Sequence, residues 1–92
     1  MIIYRMLDLS ICHITKETND ALLEEKIQDV VYYQKPGYGF FVHVPECLED
    51  VEDGDIPDDL FKCLVYALAN RCDWINLDCD GVIEEDLPKY GW

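Results

Sequence analysis

The clearest pattern along the chain has period two. Leu7, Leu9 and Ile11 alternate with Asp8, Ser10 and Cys12, which predicts a strand from about Ile3 to His13. VVYYQK, from Val30 to Lys35, is a β-branched and aromatic run, and GFFVHV, from Gly39 to Val44, is another. Pro36 and Gly37 supply turn chemistry between them, so the two runs predict a hairpin that Pro45 terminates. In the second run Tyr38, Phe40, Val42 and Val44 share one face, and Phe41 and His43 the other. Trp74 to Asp78 predicts a last strand, with Ile75 and Leu77 pointing the same way.

Two stretches change period. From Lys16 to about Lys26 a short apolar stripe holds Ala21, Leu22 and Leu23. Thr15 precedes it as an N-cap, and Glu17 sits in the first turn, where the helix dipole favours a carboxylate. From Pro57 to about Arg71, Leu60, Leu64 and Leu68 form an i,i+4 row with Phe61 and Val65 beside it. Pro57 suits a first helical turn, with Asp58 and Asp59 at the favourable dipole end. The element order is β-α-β-β-α-β. That order predicts an α+β fold, a four-stranded antiparallel sheet with both helices on one face, as in a ferredoxin-like sandwich. The predicted core is Leu7, Leu9, Ile11, Phe40, Val42, Leu60, Leu64, Leu68, Ile75 and Leu77.

Ninety-two residues, half of them hydrophobic, make one domain (1–92) rather than an acidic disordered tail. It carries an acidic loop at 46–57 and a C-terminal tail at 81–92. No stretch approaches the roughly 20 apolar residues that span a bilayer. The N-terminal MIIYRMLDLS lacks a basic n-region and a small-residue cleavage site, so a strand fits it better than a signal peptide. Five cysteines, Cys12, Cys47, Cys63, Cys72 and Cys79, are odd in number, irregularly spaced and free of any CxxC. They read as reduced thiols used as small apolar fillers, and a cytoplasmic location is expected.

Charge changes the picture more than composition does. The net charge is −13, with twenty Asp and Glu against seven Lys and Arg. Eight carboxylates and no basic residue lie between Glu46 and Asp59: Glu46, Glu49, Asp50, Glu52, Asp53, Asp55, Asp58 and Asp59. A second group, Asp78, Asp80, Glu84, Glu85 and Asp86, follows near the C-terminus. Nucleic acid and anionic membrane are excluded as direct ligands, and basic protein surfaces are favoured.

No catalytic constellation emerges. Gly54 and Ile56 mimic two positions of a calcium loop, but Val51 and Leu60 stand where oxygen ligands belong. His13 and His43 belong at opposite ends of the predicted sheet. Cys12 and His13, neighbours in a strand, point to opposite faces. Ser10 lacks a glycine elbow, and the glycines form no phosphate loop. No cofactor and no metal are expected. The aromatic residues Tyr32, Tyr33, Phe40 and Phe41 sit on adjacent hairpin strands, and helices cover only one face of such a sheet. The outward rings call for a cover, either Tyr90 and Trp92 of the tail or a partner. Too few basic residues are present for base stacking with phosphate contacts, so the partner is a protein or a second copy.

LDLSICHITKET (7–18), YYQKPGYGFFVHVP (32–45), CDWINLDCDG (72–81) and LPKYGW (87–92) together resemble a family of small acidic bacterial domains of unknown function. That family is often associated with plasmids and integrated mobile elements. The resemblance spans nearly the whole chain and implies a cytosolic accessory protein. It implies no activity and no site residues. The expected function is a non-catalytic, acidic protein-binding module. In a sharper form it mimics the charge of DNA to block a nucleic-acid-binding protein. The expected contact residues are Glu46, Glu49, Asp50, Glu52, Asp53, Asp55, Tyr33 and Phe41, with a homodimer through the open sheet face as a further expectation. The alternative is a small enzyme or cation-dependent protein using the Asp78–Asp86 carboxylates.

Overall fold

In a computed structural model describing residues 1–48 and 56–92, the chain forms a four-stranded sheet with two α-helices. The elements are β1 (Met6–Ser10), a 3-10 turn (Ile11–His13), α1 (Lys16–Leu23), β2 (Tyr32–Lys35), β3 (Gly39–His43), α2 (Asp58–Ala69) and β4 (Trp74–Asp78). The predicted order of elements holds, but their arrangement in the sheet differs. The strand order is β1-β4-β3-β2, with β1 parallel to β4 and the other pairs antiparallel. The sheet is therefore mixed, and not the purely antiparallel sheet of a ferredoxin-like sandwich. There β1 would stand between β3 and β4; here β4 stands between β1 and β3.

Hydrophobicity explains the central place of β4. Ile75 and Leu77 are wholly buried, level with Leu7 and Leu9 on one side and with Val42 and Phe40 on the other. Leu22 of α1 and Leu60, Cys63, Leu64 and Ala67 of α2 join the same core. Seven of the ten predicted core residues are buried, and Leu7, Ile11 and Leu68 pack against them partly exposed. Ile14, Leu22, Ile27, Val30, Val44, Cys72 and Leu87 complete the core from loops, helix and tail. Phe40 and Val42 approach β4 closely because Gly39, at φ 148°, lets the backbone pass the Leu77 carbonyl; a Cβ there would run into that oxygen.

Three boundaries depart from the periodicity. The first strand stops at Ser10, whose hydroxyl accepts a hydrogen bond from Cys12 N–H (3.2 Å) and turns the chain before His13. Both helices end earlier than their apolar stripes suggest. Glu25 and Arg71 take left-handed φ values of 57° and 58°. In α1, Lys26 N–H donates to Ala21 O and Glu25 N–H to Leu22 O; in α2, Cys72 N–H donates to Ala67 O and Arg71 N–H to Leu68 O. These are two Schellman ends without the glycine that normally marks one, so nothing in the residue types announces them. Thr15 caps α1 as expected, accepting from Thr18 N–H.

No helix among the described residues is long and apolar enough to cross a membrane.

Candidate protein-binding face

Side chains alternate across a strand, so the residues that miss the core line the opposite face of the sheet. Met6 stands level with Trp74 and His43, and Asp8 with Asn76, Phe41 and Tyr33. Neither helix covers this face. At one end it is apolar. Tyr4, Met6, Tyr33, Phe41 and Trp74 line a shallow, almost wholly apolar depression of about 300 Å³. Tyr33 and Phe41 are a cross-strand pair, and the Tyr33 ring lies 6.1 Å from that of Trp74, tilted by 32°. His43 meets Trp74 edge-on at 5.0 Å. Tyr33 is 60% exposed, Tyr4 65% and Met6 50%.

The other end of the face is polar and internally satisfied. Lys35 Nζ–H donates to Asn76 Oδ1 and to Asp78 Oδ2 (2.6 Å), and the ammonium lies 4.9 Å from the centre of the Phe41 ring. Asn76 Nδ2–H reaches Asp8 Oδ1 at 3.5 Å. The Lys35 ammonium bonded to it, helped by Asp80 N–H, holds the Asp78 carboxyl below its ordinary range. The expected pair Tyr33 and Phe41 is thus brought together. Trp74, Tyr4 and Met6 were missed. The alternation of Trp74 against Ile75 and Leu77 already put it outward, but only the strand order brings it beside Tyr33.

The acidic expectations fare unevenly. Glu46 is exposed. Glu49, Asp50, Glu52, Asp53 and Asp55 lie outside the described residues, as does Val51 of the calcium-loop comparison. Asp59, the last of the eight acids and read as a first-turn residue of the second helix, is buried. Its carboxylate accepts from Thr15 N–H (2.8 Å) and from the Thr18 hydroxyl (2.9 Å), so an acid at the start of α2 holds the start of α1.

The C-terminal carboxylates do not converge on one site. Glu84 accepts from the Tyr66 hydroxyl (3.1 Å), which raises that phenol's pKa, and Glu85 lies 3.9 Å from Lys89. Asp78, Cys79 and Asp80 place ligand atoms within 4.8 Å of one another. Cys79 and Asp80 are exposed there, and Asp78 is already bonded to Lys35, which a cation would have to displace.

The histidines separate as expected, although through a different topology. His13 follows the C-terminal end of β1, and His43 ends β3, which runs the opposite way. His13 is buried and fully engaged. Its Nε2 accepts from Glu84 N–H (2.9 Å), so its Nδ1–H is the donor to Pro88 O (2.8 Å). This clasp, with Tyr90 N–H to Cys12 O and Trp92 Nε1–H to Ile14 O (2.9 Å), binds the tail over the 3-10 turn. The tail therefore does not cover the outward rings. Burial, with the nearby Asp59 carboxylate, pushes the Cys63 thiol up to about 12, so it is a filler and not a nucleophile.

Residues 6–92 match the model of the C-terminal domain of DUF5983, a family of unknown function, and the chain belongs to that family. No curated protein and no solved structure matches it.

Proposed function

We propose that this DUF5983 domain is a non-catalytic protein-binding module whose contact surface is the helix-free face of its sheet. One observation carries the reading: Tyr4, Met6, Tyr33, Phe41 and Trp74 form a continuous apolar patch that no described residue covers. An uncovered cluster of rings with a polar border is the usual composition of a protein contact. The polar groups at its border, Lys35, Asn76, Asp78 and Asp8, are bonded to one another.

A photo-crosslinking phenylalanine analogue at position 33, expressed in cells, tests the reading. It is expected to trap a protein that the same analogue at the exposed Val65 of α2 does not. Equal labelling from both positions would remove the sheet face as the contact surface.

The net charge of −13 supports a second reading for the remaining surface, attraction to a basic protein. Its sharper form is charge mimicry of DNA on a nucleic-acid-binding protein of a bacterial mobile element. Inhibition of a DNA nuclease that fades as salt rises is the expected result for mimicry. An unaffected nuclease at low salt counts against it for that enzyme.

A further inference from the structure

The occupant of the open face follows from three features of the molecule. The first is charge. Among the described residues the face carries two carboxylates, Asp8 and Asp78, and one ammonium, Lys35, which is bonded to Asp78. This described face is almost neutral in a chain of −13. A strongly basic partner gains little from such a patch. Two copies of this chain, which repel one another by any acidic surface, meet here with almost no charge to oppose contact.

The second feature is the chain before β1. Arg5 is anchored: its N–H donates to Asp73 Oδ2 (2.9 Å) and its carbonyl accepts from Asp73 N–H (2.7 Å). The apolar residues ahead of it are not. Met1, Ile2, Ile3 and Tyr4 are each at least 65% exposed, and Tyr4 borders the depression. An apolar arm beside an apolar depression is self-complementary under a two-fold axis: the arm of each copy meets the depression of the other.

The third is area. The depression alone is small for a stable contact, which takes about 800 Å² from each partner. Adding the arm to the exposed rings gives roughly 600–800 Å² on each side, given about 150–250 Å² for a fully buried aromatic.

We infer that the face takes a second copy of this chain in a two-fold, face-to-face dimer, with the arms exchanged. The inference rests on the reading of the sheet face as a contact surface and names its occupant. The acidic surfaces of both copies then point away from the interface, free for a basic partner.

Sedimentation equilibrium on the full chain tests it. The wild type is expected to be dimeric at micromolar to ~1 mM concentrations. Its association should tighten between low and about 0.5 M salt, as the residual like-charge repulsion is screened. Tyr33→Glu and Ile3→Asp, both at exposed positions, should each weaken dimerisation at least about tenfold. Val65→Glu on α2 should leave it unchanged. Far-ultraviolet circular dichroism confirms that each variant is folded.

A wild type that stays monomeric throughout overturns the second copy. So does a dimer that survives both Tyr33→Glu and Ile3→Asp. The crosslinker at position 33 separates the two levels. A monomer whose position 33 traps a foreign protein removes only the second copy, whereas a monomer that traps nothing removes the contact surface as well.

Discussion

Alternate residues of the same strands meet opposite surroundings in this molecule. On the inner face Leu9, Phe40, Val42, Ile75 and Leu77 are at most 1% exposed, sealed by two helices. On the outer face Phe41 and Trp74 are half-buried, and Tyr33 is 60% exposed, with neither α1 nor α2 above them. Both faces use large apolar side chains, but only the inner set is fully removed from water by folding. Stability of the domain therefore resides in one face, and the hydrophobic cost of an uncovered surface in the other. A sheet that needed only to fold would carry polar residues there.

The sharpest way to break this contrast is to truncate one ring on each face. Phe40→Ala should cost about 3–5 kcal/mol in urea unfolding. Tyr33→Ser should stay within about 0.5 kcal/mol. Equal costs would mean that the outer rings support the fold and are not held for a partner.

The tail clasp comes next, because it asks how far the inner core depends on the end of the chain. His13→Ala leaves Glu84 N–H and Pro88 C=O without partners and should cost about 1–3 kcal/mol. A neutral outcome would show that water replaces the imidazole and that the tail is held by Leu87 alone.

Arg71→Gly changes neither face and should stabilise by up to about 1 kcal/mol, because glycine adopts the left-handed angle freely. A destabilised variant would assign the Arg71 side chain a contact worth more than that strain.

The smallest effect belongs to Asp78, on the polar end of the outer face. Its folded pKa is lowered chiefly by Lys35. Its stabilisation is therefore present above the ordinary carboxylate range and is lost as pH falls through the lowered folded value. The stability gap between wild type and Asp78→Asn should be constant near neutrality and shrink below about pH 4. A gap that does not change with pH would assign the effect to the Asp78–Asp80 turn rather than to the ion pair.

Local chemistry made much of this legible in the sequence. Period two revealed the first strand, β-branched and aromatic runs revealed the others, and alternation put Phe41 opposite Phe40. Thr15 announced its cap. The sheet order was not legible, since a β-α-β-β-α-β run is compatible with either neighbour for β1. What decides between them is a match of Leu7 and Leu9 with Ile75 and Leu77 across 68 residues of chain. The helix ends were hidden because Glu25 and Arg71 occupy positions where glycine is the recognisable mark. His13 gave no sign of its role, as both its partners are backbone groups of the tail, 71 and 75 residues away. Asp59 looked like one more surface acid because nothing in its neighbourhood reveals the distant Thr15 amide.

The central position of β4 also bears on how the chain is made. Among the described strands β1 comes first in the chain, yet the strand it pairs with, β4, comes last. Until residue 78 is out, Leu7 and Leu9 lack the β4 residues they pair with, and among the described strands the β2–β3 hairpin is the one pairing available. Completion of the sheet therefore waits for β4, and the closure of so long a loop makes that step slow. In the interval Leu7 and Leu9 stand without their sheet neighbours, and a net charge of −13 opposes contact between unfinished copies.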